Sequence, residues 1–81
     1  MSIMIKLENI KIDGNIISAV VTTVETHSQT FKISIDIKEE RLISCTKNTR
    51  DSYVYQAMGK LIQLYHENSR NMPKKAESVW Y

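Results

Sequence analysis

Few side chains in this chain could do chemistry: one cysteine, two histidines, nine carboxylates and eleven lysines or arginines in 81 residues. Cys45 would need a base beside it to act as a nucleophile. His27 falls in a polar stretch between two strand patterns, and His66 falls near the end of a helical pattern. No spacing brings either imidazole to the thiol, so Cys45 reads as a small buried strand residue. A metal centre needs three or four ligands at close spacing, and these three residues are scattered over three elements. Glu39-Glu40 are neighbours on a turn, where adjacent side chains diverge, so they do not face one substrate. Loops that cradle phosphate need clustered glycines. This chain has only Gly14 and Gly59, one in a hairpin and one in a helix. The expectation is a protein without cofactor or metal, and not an enzyme.

The cationic residues carry a different chemistry. Lys47, Arg50, Arg70, Lys74 and Lys75 flank the helical pattern at its two ends. Gathered on one end of a domain they would neutralise phosphates, which makes a nucleic-acid module the alternative reading. Residues 1–40 hold four lysines and six carboxylates, a net −2; residues 41–81 hold seven lysines or arginines and three carboxylates, a net +4. Asymmetry of this size in a chain this short is weak on its own. One cysteine excludes an internal disulfide framework and suits a reducing, cytoplasmic setting. The first residues lack the basic and long apolar regions of a signal peptide. No apolar run is long enough to cross a bilayer, so no membrane partner is expected.

The elements that must position these groups are legible in outline. Asp13-Gly14-Asn15 lies between two alternating apolar runs, the strongest short-range signal of a β-hairpin. A first strand runs from about Ile3 to Ile12. Ile3, Ile5 and Leu7 alternate, and then Ile10 and Ile12 change phase. A bulge near Glu8-Asn9 restores all five to one face. A second strand, from Ile16 to about Glu25, is β-branched and apolar on both faces. Thr30 to Lys38 is the cleanest strand, with Phe31, Ile33, Ile35 and Ile37 on one side. A four-residue turn at residues 26–29 pairs Val24 with Phe31 and Val20 with Ile35. That register puts the even face of the second strand in the core. Leu42 to Thr46 forms a short fourth strand at an edge, which Lys47 helps to protect from further pairing.

One amphipathic helix is predicted from about Arg50 to Glu67. Its apolar stripe is Val54, Ala57, Met58, Leu61, Leu64 and Tyr65; Gln56, Lys60, Gln63 and Glu67 form its wet side. Thr49, Asp51 and Ser52 all offer capping oxygens. Pro73 prevents continuation. The fold class is therefore α+β: a four-stranded antiparallel meander followed by one C-terminal helix on one sheet face. Residues 1–68 form the domain and residues 69–81 a tail. Because the tail ends on two large aromatics, it is expected to dock, either by strand pairing of Ser78-Val79-Trp80 or in a groove of a second subunit. In the predicted register Ile17, Ala19 and Val21, joined by Met4, lie on the face away from the core. With Val79, Trp80 and Tyr81 they form the candidate interaction surface. The leading expectation is a small interaction or regulatory module that binds a protein partner or a second copy of itself.

Overall fold

In the computed structural model, which describes residues 3–24, 28–46, 52–68 and 71–80, alternation and turn chemistry produce the expected class. Four strands, β1 (Ile3–Asp13), β2 (Ile16–Thr23), β3 (Thr30–Asp36) and β4 (Arg41–Cys45), form an antiparallel meander. The helix α1 (Ser52–Asn68) packs on one face of the sheet. A fifth strand, β5 (Ala76–Trp80), completes the sheet in the order β4-β3-β2-β1-β5.

Asp13 and Ile16 pair across a two-residue loop in which Gly14 takes φ +61°, a conformation that costs glycine little. The bulge in β1 falls where the phase of the sequence requires it. The β1–β2 register shifts between Glu8 and Lys11, and Asn9 takes φ +52°. Ile5, Leu7 and Ile10 are thereby buried on one side, while Ile12, near the hairpin end of the same strand, is exposed.

The β2–β3 register differs from the expected one. Val21 pairs with Phe31, Ala19 with Ile33 and Ile17 with Ile35. The odd face of β2 is the core face: Ile17 and Val21 are 0% exposed and Ala19 4%. Ile17, Ala19 and Val21 are thus core residues and not an outward patch. Two features cause this. The tight β1–β2 hairpin sets Ile12 opposite Ile17, which commits the isoleucine face of β1 to the odd face of β2. In addition, β2 ends at Thr23, so its odd face carries no charged residue. Buried Thr23 closes the strand: its N–H donates to the Gln29 carbonyl at 2.8 Å, and its Oγ1 accepts from the Gln29 N–H at 2.9 Å.

Val54, Ala57, Leu61 and Leu64 of α1 join this core, and Met58 and Tyr65 lie half-buried beside it. Gln56, expected on the wet side, is fully buried. Its Nε2 donates to the Ser78 carbonyl at 3.1 Å and to Ser78 Oγ at 3.3 Å, tying α1 to β5. At the other end of the helix His66 Nε2 lies 3.6 Å from Glu40 Oε1 in the β3–β4 turn. The helix therefore runs diagonally, from over β5 at its start to the β3–β4 turn at its end. Thr49 and Asp51, two of the three cap candidates, lie outside the described residues.

The tail is a strand along its final stretch. Ala76 to Trp80 pair with Leu7 to Ile3, and the Ile10 N–H donates to the Lys74 carbonyl at 3.1 Å. Without β5, the eleven-residue β1 would be an open edge, a template for unwanted pairing.

Candidate interaction surface

Placement of the predicted site residues takes three of the six expected surface residues into the core. Ile17, Ala19 and Val21 are in the core, as described above. Val79 and Trp80 lie in β5, where their backbones pair with Met4 and Ile3. Tyr81 lies outside the described residues, as do Lys47, Arg50 and Arg70. Lys74 and Lys75 are exposed in the segment leading into β5.

The face of the sheet opposite the helix is charge-balanced. The registers place Lys6 opposite Glu77, Arg41 opposite Asp36, and Glu8 opposite Val20, itself opposite Lys32. Lys11 and Asp13 bring the described strand residues of this face to four cations and four anions. Opposite charges facing across neighbouring strands suit a solvated sheet. Two shallow depressions of about 370 and 350 Å3 open on this face. Lys6, Glu8, Lys75 and Glu77 line the first. Lys11 and Lys32, with Ser18 and Ser34, line part of the second. Neither combines a dense charge of one sign with aromatic stacking surface.

Cys45 and His66 are kept apart, and His27 lies outside the described residues. Cys45 is half-buried and pairs with Ile33 at the far end of β4 from the β3–β4 turn, whereas His66 meets that turn. Four residues of strand separate Cys45 from Arg41 at the turn, roughly 13 Å. Among the described residues no group of three or more His, Cys, Asp or Glu is arranged to hold a metal. No described helix is long and apolar enough to cross a membrane.

The helix supplies the surface that sequence reasoning missed. Beside its buried stripe runs a second apolar row, Tyr55, Met58, Ile62 and Tyr65. The steps of three, four and three are the spacing of a helix-pairing seam. Tyr55 is 56% exposed, and the other three are half-buried. Gly59 lies on the solvent side of this row, and a Cβ there would meet nothing within 4 Å. Among the described residues nothing requires a glycine at that position, although it costs ~1 kcal/mol of helix stability relative to Ala. Across all of α1 only Lys60 and Glu67 carry formal charge, with His66 titratable.

Sheet geometry explains why this row is left half-open. Five strands at their usual spacing span about 19 Å between edge axes, and one helix is about 10–12 Å wide with its side chains. Helix α1 contacts β1, β2, β3 and β5. Leu42 and Cys45 of β4 remain only partly buried against the core.

No family model matches the chain, and neither a curated protein nor a solved structure matches it.

Proposed function

We propose that this protein is a small non-enzymatic interaction module whose docking surface is the half-open row Tyr55, Met58, Ile62 and Tyr65. The carrying observation is the coincidence of seam spacing, a nearly uncharged helix and an unconstrained Gly59 on one side of α1. A helix whose outer side faced only water would normally carry charged residues there. Because glycine has no Cβ, the surface at position 59 is low and lets a partner approach, which gives a reason for a glycine that the described contacts of the monomer do not need. The alternative nucleic-acid reading draws on exposed Lys74 and Lys75, but Glu77 and Glu8 line the same depression as Lys75. No observation favours it over protein docking.

The test is site-specific photocrosslinking in the native cell, with benzoylphenylalanine in place of Tyr55. The control places the same probe at Lys6, on the opposite sheet face. Discrete protein adducts from position 55 and none from position 6 are expected. Identical adduct patterns from the two positions, or no adduct from position 55, would remove the basis for the reading.

A further inference from the structure

We infer that the occupant of this row is a second copy of the chain, packed through an antiparallel α1–α1 contact about a two-fold axis. This rests on the docking surface proposed above and adds what fills it. An isologous interface must be self-complementary, so that residue i meets j while j meets i. The row has that property. Its members lie symmetrically about position 60, with Tyr55 matching Tyr65 and Met58 matching Ile62. Antiparallel apposition therefore stacks Tyr55 on the Tyr65 position of the second copy, and Met58 on its Ile62 position, twice over. A flexible thioether against a branched aliphatic, between two aromatic layers, fills such a seam without voids.

The flanks agree. On the solvent side of the seam the helical repeat places Ser52, Gly59 and His66 in one line. In the antiparallel arrangement Gly59 lies by its own counterpart near the axis, and Ser52 lies by the His66 position of the other copy. No like charges meet. Lys60 and Glu67 project from the opposite side of the helix, clear of the contact.

Area sets the strength. A stable protein pair buries about 800 Å2 per partner. The 17-residue helix is about 25 Å long, and its half-open side alone offers well under that area. The contact must spread onto the partly covered β4, where Leu42 is half-buried and Ile43 is 48% exposed. The resulting association is weak and concentration-dependent, with dissociation in the micromolar range.

Sedimentation of the purified full chain between 5 and 500 µM tests this. A monomer–dimer equilibrium within that range is expected, and Tyr55→Lys should raise its dissociation constant at least tenfold while leaving the circular dichroism unchanged. A second measurement reads the register. Tyr55→Cys and Tyr65→Cys chains, each also carrying Cys45→Ser, are mixed and oxidised with glutathione disulfide. Linkage between positions 55 and 65 is expected. Two copies of position 55 would lie about 15 Å apart along the axis, beyond the ~7 Å reach of a disulfide. A monomer at every concentration, a dimer indifferent to Tyr55→Lys, or dominant linkage of position 55 to itself would each overturn the inference. If the purified chain stays monomeric while the cellular probe at position 55 captures another protein, the surface stands and only its occupant is wrong.

Discussion

Two rows of four residues lie side by side on α1 with the same three-four-three spacing, yet they have different fates. Val54, Ala57, Leu61 and Leu64 are buried against the sheet, three of them completely or nearly so. Tyr55, Met58, Ile62 and Tyr65 are covered in part only. Spacing alone therefore does not decide which row is core. Composition separates them. The inner row is small and aliphatic and lets the helix sit close to Ile33 and Ile35. The outer row is larger, with two phenols and a thioether, residue types that tolerate both water and apolar contact.

Substitutions break this contrast most strongly on the inner row. Leu61→Ala should cost about 2–5 kcal/mol, against a total stability of about 5–15 kcal/mol for a domain. Ile35→Ala should behave alike, while Ser34→Ala on the outer sheet face should change little. Chemical denaturation of the three reads the difference directly. If all three unfold at the same denaturant concentration, the assigned core is wrong.

Gln56→Ala comes next. It removes the side chain that joins α1 to Ser78 of β5, and the half-buried Ser78 carbonyl and hydroxyl lose their Gln56 donor. A loss of about 1–3 kcal/mol is expected. A midpoint within error of the parent would mean that the helix does not hold β5 through this contact.

Gly59→Ala should move the other way. With open space around the new methyl, helix propensity predicts a gain of about 1 kcal/mol in a dilute monomer. Thermal melts at low micromolar concentration measure it. A loss of stability there would show that glycine is needed within the single chain. Tyr55→Ser is the smallest perturbation, within about 0.5 kcal/mol, as for an ordinary exposed site. A larger loss under dilute conditions would move Tyr55 into the core and erase the distinction between the two rows.

Much of this fold was legible before the structure. The hairpin at Gly14, the bulge beside Asn9, the alternation of β3 and the inner helical row all follow from local pattern. The register of β2 did not, because both of its faces are apolar and a one-residue slip exchanges them. The deciding information was nevertheless present in the hairpin, where Asp13 opposite Ile16 forces Ile12 opposite Ile17. The burial of Gln56 has no local signal; it depends on β5 arriving beside the helix from more than twenty residues away. The candidate surface was misplaced for the same reason as the register. Once Ile17, Ala19 and Val21 go inward, the patch they composed no longer exists. In sequence, Met58 and Tyr65 fit the same i, i+3, i+4 stripe as Val54 and Leu61, and that hides the second row.

The attachment of β5 to β1 separates the sheet into an early and a late half. The pairs from β1 to β4 are hairpins between neighbours in sequence, which close quickly. Leu7 opposite Ala76 and Ile3 opposite Trp80 join residues 69 and 77 positions apart, and such distant pairing is slow because the intervening chain must be ordered first. The meander thus forms with one long edge bare, and that edge waits for β5. Pulsed hydrogen exchange should protect the amides of β2 and β3 before those of β5; simultaneous protection would rule out this sequence of events. The bare edge during that interval is where two folding chains would most readily mispair. Slower refolding at higher protein concentration is its kinetic signature.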